Sequence, residues 1–321
     1  MTRMLVTGAS GFIGRAVVAA FAARGVLVRA GMRHAPQRAL PAGAEAVQYP
    51  DLERRFDWRP YLEGIDQVVH LAGIAHSRAA PALYERINRE ATVELATAAA
   101  AAGVKHFVFV SSIRAQGGPS ADHTLGERDT PAPTDAYGRS KLAAEDAVRA
   151  AGVPFTILRP VVLYGPGVKG NFALLLAAAR SPWPLPVKDF VGRRSLLGID
   201  NFVSALGFVL ASPAANGETY IVADPGMPPR LPDVIATLRE AAGRSPMLLP
   251  FPPNYLEALL RLAGRGEVWE RLGASLQADP GKLLAAGWQP AHDTRSGLIA
   301  LAQAETRDRS TMPPRTPTPK T

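Results

Sequence analysis

The stretch DAYGRSKLAAED holds the residues best suited to chemistry. Tyr137 is followed by Lys141, and of the seven tyrosines only this one has a lysine at the fourth position. Residues four apart share a helix face, and the run around them is rich in helix formers behind a turn-like entrance. A phenol of pKa ~10 is a poor base at neutral pH. A nearby ammonium favours the phenolate and lowers that value. Surface helices also produce such pairs by chance, so the rest of the chain decides what this one means.

A second constellation lies at the start. MLVTGASGFIG follows an apolar strand-like run and opens a helix-like one, with Gly8, Gly11 and Gly14 spaced G-x-x-G-x-x-G. The first glycine permits a tight turn, the second a close backbone approach to a pyrophosphate, and the third close packing of helix on strand. The helix N-terminus then faces the phosphates. Gly8, Gly11, Phe12, Ile13 and Gly14 are therefore the expected phosphate loop of a dinucleotide. The next strand tests cofactor identity. NAD-binding folds end it with an acid for the ribose 2′-hydroxyl, NADP-binding folds with a nearby arginine. Here it reads VLVRAGMRHAPQR, and the first carboxylate of the whole chain is Glu45. Arg33 stands in the acid's place, and an arginine can hold a 2′-phosphate bidentately. The expectation is NADP(H), with NAD(H) still admitted. In QYPDLE, Asp51 could accept the adenine amino group while Leu52 packs the ring. Asp51 could equally cap the turn it precedes.

The elements that must hold these residues alternate. Short apolar runs at 4–7, 27–30, 46–49, 67–71, 107–111 and 155–158 read as strands, and 12–24, 81–102 and 136–151 read as helices. That alternation predicts an α/β, Rossmann-type doubly wound parallel sheet. After Arg159 prolines punctuate short segments, which suggests a smaller C-terminal α/β substrate-binding cap. The expected division is 1–160 for the dinucleotide-binding domain, 161–304 mainly for the cap, with some segments returning to the sheet, and 305–321 for a Pro/Thr/Arg-rich disordered tail. The chain has 321 residues and no cysteine, which excludes disulfides, thiolate nucleophiles and cysteine zinc sites. Six scattered histidines give no support to a metal site. Net charge is +8, but the basic residues are dispersed, so no nucleic-acid partner is expected. The N-terminus lacks an apolar leader, and no apolar run approaches the roughly 18 residues of a spanning helix. The expectation is a cytoplasmic protein with no membrane partner.

Six motifs in order, TGASGFIG, HLAG (70–73), INREAT around Asn88, FVFVSSI ending in Ser112 and Ile113, YGRSK, and LRPVVLYGPG (158–167), resemble the extended short-chain dehydrogenase/reductase superfamily. Within it they resemble the nucleotide-sugar epimerase/dehydratase/reductase group, over nearly the whole chain. The resemblance implies an enzyme in which Tyr137 is the catalytic acid/base, Lys141 its helper and nicotinamide-ribose contact, and Ser112 the substrate-polarising serine. Ser111 is the alternative if the loop register differs by one. It also implies that Leu71, Ala72, Gly73 and Asn88 line the cofactor, and that Asn171 and Arg194 meet the substrate, Arg194 at a diphosphate. Family members often pair through helices like 81–102 and 136–151, which admits a homodimer.

The chain departs from the 4-epimerase pattern, with SSIRAQG where many members have SSxxVYG and with Arg33 after the second strand. An epimerase returns the same hydride and keeps its NAD, whereas a reductase takes fresh NADPH. The expected function is reduction at C4 of a nucleotide sugar, a UDP-4-keto-6-deoxy-hexosamine for surface polysaccharide. The alternatives are a UDP-hexose 4-epimerase with retained NAD, a reductase of a non-sugar ketone in which Arg194 is dispensable, and a non-catalytic cofactor-sensing relative.

Overall fold

Met4, Leu5 and Val6 are all fully buried, although successive strand residues point to opposite faces. A strand apolar on both faces needs cover on both, and the computed structural model supplies it. It describes residues 1–75, 79–168, 170–266, 269–270 and 273–311. Seven strands form one sheet: β1 (Arg3–Thr7), β2 (Leu27–Met32), β3 (Ala44–Gln48), β4 (Gln67–His70), β5 (His106–Val110), β6 (Phe155–Pro160) and β7 (Thr219–Val222). Their order is β7-β6-β5-β4-β1-β2-β3 and every pairing is parallel. The winding reverses between β1 and β4, where Thr7 lies opposite His70. In doubly wound folds ligands bind in the crevice at such a switch point.

On one face Met4 and Val6 pack against Val17, Val18 and Phe21 of α1 (Phe12–Ala23) and Phe202 and Val209 of α4 (Ile199–Ala211). On the other, Leu5 shares a cluster with Leu95 of α2 (Ala91–Ala101) and Ala144 and Val148 of α3 (Ala136–Ala150). The stretch expected as one helix over 81–102 is not uniform. It starts as a helix at Pro81–Tyr84, widens into a π-helical segment at Glu85–Glu90, and continues as α2.

β7 and α4 both come from the proline-punctuated half yet join the sheet and its cover. The cap has its own core, in which Tyr164, Phe172 and Leu176 meet Val234 and Leu238 of α5 (Leu231–Ala241) and Leu298 and Leu301 of α6 (Thr294–Thr311). Asp224, just beyond β7, ties cap to sheet. It accepts from the Tyr164 hydroxyl (2.8 Å), Asn201 Nδ2 (2.7 Å), the Gly198 N–H (2.9 Å) and the Thr294 hydroxyl (3.2 Å). Helix α6 continues to Thr311, so the segment expected to be a disordered tail from 305 starts as helix; 312–321 falls outside the described residues. Among the described residues no helix is long and apolar enough to cross a membrane.

Candidate active site

The glycine loop has the shape its spacing requires. Gly8 has φ +70°, and a Cβ on it would sit 2.9 Å from the Ala72 nitrogen beyond β4. A Cβ on Gly14 would lie 2.3 Å from the Gly8 carbonyl oxygen. No side chain caps α1 at Gly11, so the N–H groups of its first turn, including those of Phe12 and Ile13, have no intrahelical partner. That is the donor set an anion needs. Tyr49, which the sequence reading passed over, accepts the Gly8 N–H on its hydroxyl at 3.1 Å. A tyrosine closing the short run read as a strand over 46–49 was the available signal.

Arg33 follows β2 and pairs with Asp51 at 2.9 Å, both side chains substantially exposed. The Glu53 N–H first and the Arg33 guanidinium second hold the Asp51 carboxyl below its usual range. Asp51 therefore caps its turn and braces Arg33 together, while Leu52 is buried.

Past β4, Leu71 and Ala72 donate their N–H groups to Thr7 Oγ1 at 3.2 and 3.3 Å. Thr7 in turn meets His70 Nδ1 at 2.7 Å, and His70 Nε2 meets Thr92 Oγ1 at 3.0 Å. Thr92 donates its hydroxyl to the Asn88 carbonyl, so it accepts from an Nε2–H tautomer. Burial first and the Lys141 charge second push the His70 pKa down to about 3, and the ring stays neutral. It is a hub of the switch point rather than a strand end alone. Asn88 lies on the π-helical segment. Its Oδ1 accepts the Ile74 N–H at 2.9 Å, and its Nδ2 donates to the Ile74 carbonyl and to Ser140 Oγ, both at 3.0 Å. A Cβ on Gly73 would approach Asn88 Oδ1 to 2.8 Å, so Gly73 permits this lock between the loop after β4 and α3.

The two serines after β5 separate clearly. Ser111 is buried and donates to Glu145 Oε1 at 2.6 Å. Ser112 caps the short helix Ile113–Gln116, accepting the Arg114 N–H at 3.2 Å, and its side chain lies close enough to the Tyr137 phenol to favour the phenolate. Tyr137 sits in the first turn of α3, which Asp135 caps through the Gly138 N–H at 2.7 Å. Burial pushes the phenol up to about 12, and the Ser112 side chain opposes it. Lys141, one turn on, is buried and donates to the Val110 carbonyl at 2.8 Å. Burial pulls its pKa down to about 8 against the pull of Glu145. Ser112, Tyr137 and Lys141 thus converge at the carboxyl end of β5.

Beneath them lies a network that the sequence reading missed. Glu145 is fully buried and receives Arg159 twice (2.9 and 2.6 Å) and Arg149 at 3.1 Å, besides Ser111. Arg159 also donates to Gln116, the residue of SSIRAQG that stands where the pattern has tyrosine. The expected substrate contacts fare differently. Arg194 Nη2 donates to three backbone carbonyls, Pro119 (3.1 Å), Glu270 (2.7 Å) and Ala274 (3.2 Å); that nitrogen ties loops together rather than standing ready for a diphosphate. Asn171 opens the helix Asn171–Arg180, and its side chain lies outside the described residues.

The profile of the NAD dependent epimerase/dehydratase family matches residues 4–223. The chain belongs to this family. A UDP-glucose 4-epimerase of Vibrio cholerae is 31% identical over 314 residues, 94% of each chain. A 2'-dehydrokanamycin reductase of Streptomyces kanamyceticus is 34% identical over 231 residues, 67% of this chain and 60% of that one. Among solved structures, the UDP-glucuronic acid 4-epimerase of Bacillus cereus in complex with NAD superposes with a TM-score of 0.75 at 21% identity, covering 95% of this chain and 99% of that one. MoeE5 in complex with UDP-glucuronic acid and NAD gives 0.75 at 25% identity and the same coverage. The family's description names epimerases and dehydratases, these relatives include an epimerase and a reductase, and this chain is a nicotinamide-cofactor enzyme of the epimerase or reductase kind.

Proposed function

We propose that this protein is an NADPH-dependent reductase acting at C4 of a nucleotide-linked 4-keto sugar, a UDP-4-keto-6-deoxy-hexosamine destined for surface polysaccharide. The observation that carries the reading is the gathering of Ser112, Tyr137 and Lys141 at the end of β5, in a chain whose β2 is followed by Arg33 and no acid. The glycine approaches at Gly8 and Gly14 and the uncapped start of α1 suit a dinucleotide pyrophosphate. Asp51 takes one guanidinium nitrogen of Arg33, and the guanidinium's other N–H groups suit a ribose 2′-phosphate.

When bound, the nicotinamide supplies hydride to C4. The chain's own residues handle the oxygen. Ser112 holds it, and Tyr137 releases its proton to the forming alkoxide. Lys141 makes the phenol a better donor by favouring phenolate.

A fluorescence titration of cofactor-stripped protein with NADPH and NADH side by side tests the cofactor. NADPH is expected to bind more tightly, by about tenfold or more, as a charge-assisted arginine–phosphate contact warrants. Arg33→Asp should bring the two to parity. An unchanged preference in that variant would refute the role of Arg33. NADPH consumption with one of a panel of UDP- and dTDP-linked 4-keto sugars tests the substrate; none consumed counts against it.

The Vibrio cholerae relative, matched over nearly its whole length, favours a second reading, a UDP-hexose 4-epimerase. NAD that copurifies and resists stripping, with no net cofactor use, would select it.

A further inference from the structure

We propose that Arg114 is a positioning residue for Tyr137, joined through Asp135 to the helix that carries the phenol and setting both its charge and its alignment with Ser112. This rests on the reading of Tyr137 given above.

Arg114 reaches the phenol by three routes. Its backbone N–H donates to Ser112 Oγ at 3.2 Å. That bond fixes the serine oxygen as an acceptor and so sets where its hydroxyl lies beside Tyr137. Its guanidinium Nη2 donates to Asp135 Oδ2 at 2.6 Å, while Asp135 Oδ1 accepts the Gly138 N–H at 2.7 Å. One carboxylate therefore fastens Arg114 to the first turn of α3. Finally, the Arg114 carbonyl packs on Gly138 so closely that a Cβ there would lie 2.3 Å away. The turn bearing Ser112 and the helix bearing Tyr137 meet at Arg114.

The pairing with Asp135 is incomplete. Arg114 Nη1 is buried and has no hydrogen-bond partner among the described residues. A charged donor left unmatched away from water is costly, and its field is poorly screened where it stands. The groups facing the Tyr137 oxygen come from four elements. Ser112 and Arg114 come from the turn after β5, Asp135 from the helix cap, and Tyr84 from Pro81–Tyr84, with ring centroids 6.1 Å apart. Lys141 lies one turn along α3. Arg114 is the cation among them that favours phenolate. Asp135 and an ionised Tyr84 would oppose it.

Because Arg114 and Asp135 carry opposite charges, neutralising each must move the phenol in opposite directions. A merely structural pair would move it the same way from either side. The test is a pH-jump measurement of near-ultraviolet phenolate absorbance, read as the difference from Tyr137→Phe in the same background. Arg114→Met is expected to move the Tyr137 step up and Asp135→Asn to move it down, each by about one unit, the size expected for one nearby charge. Arg114→Lys should return it close to the parent. Asn caps a helix as well as Asp, so Asp135→Asn keeps the fold and carries the test alone if Arg114→Met fails to fold. An upward or absent shift in Asp135→Asn overturns the proposal, as does an Arg114→Met protein that titrates like the parent. With substrate, kcat of Arg114→Met should fall about tenfold with cofactor KM unchanged, and a rise in KM alone would also overturn it. Full turnover in Tyr137→Phe would sink the catalytic assignment and leave this titration standing.

Discussion

Tyr137→Phe is expected to lower turnover by about 10²–10⁴-fold, the range that a positioned general acid contributes, with cofactor affinity unchanged within about a factor of two. The substitution removes only the hydroxyl. The ring that lies 6.1 Å from Tyr84 remains. The helix start does not depend on it, because Asp135 makes the cap and Ser140 Oγ bonds the backbone carbonyl of residue 137 at 2.8 Å. What disappears is the proton donor and the partner of Ser112. The loss should fall on kcat, since a proton delivered in the transition state is not a ground-state contact. Steady-state NADPH oxidation with the accepted keto sugar measures the first quantity and fluorescence titration the second. A variant that turns over like the parent would remove Tyr137 from the chemistry.

The contrast between Ser111 and Ser112 illustrates what the sequence could and could not reveal. Both serines were candidates, because a one-residue shift in the loop exchanges them. In the structure Ser111 continues β5 and turns inward to Glu145, while Ser112, one residue on, lies beside Tyr137. The glycines were legible because their demands are local, being a positive φ at Gly8 and a packing distance at Gly14. Six of the seven sheet strands were legible for the same reason, as short apolar runs. β7 was not. It is four residues long and pairs with β6 across the intervening cap segments, so nothing local announces it. Nor does any local pattern tell that Asn88 sits in a π-helical segment, or that Arg194 turns a nitrogen onto three carbonyls from distant loops. Arg33 and Asp51 were read separately, one for a phosphate and one for adenine. Their ion pair depends on parallel pairing of β2 and β3, which carries the ends of both strands to the same edge.

Glu145→Leu should destabilise the fold by about 3–5 kcal/mol, the cost of breaking a buried ion pair from one side. Glu145 has no exposed surface, and Arg159 is 3% exposed. Without the carboxylate, Arg159 keeps only Gln116 among the partners described above, and the buried Ser111 hydroxyl loses its acceptor. The paired variant Glu145→Leu/Arg159→Met should cost less than the two single changes added together, because it removes the orphaned charge as well. Guanidinium chloride unfolding of the four proteins measures this cycle, and a Glu145→Leu unfolding free energy within about 1 kcal/mol of the parent would refute it. The same network reaches the chemistry. Glu145 lies four residues after Lys141 on one face of α3, and its charge resists the fall of the Lys141 pKa, which burial has already drawn to about 8. Because that value lies below the ordinary 10.5, it is the ammonium that burial disfavours. The folded state therefore sheds this proton before the unfolded chain does, and the stability penalty it brings fades as pH rises from about 8 towards 10.5. In the mechanism proposed above, its help to the phenol runs the other way, present while the ammonium persists below about 8 and lost above it. Removing Glu145 lowers that limit further, so the alkaline limb of turnover should move to lower pH in any Glu145 variant that still folds. A limb that stays where it was would confine Glu145 to holding the helix in place.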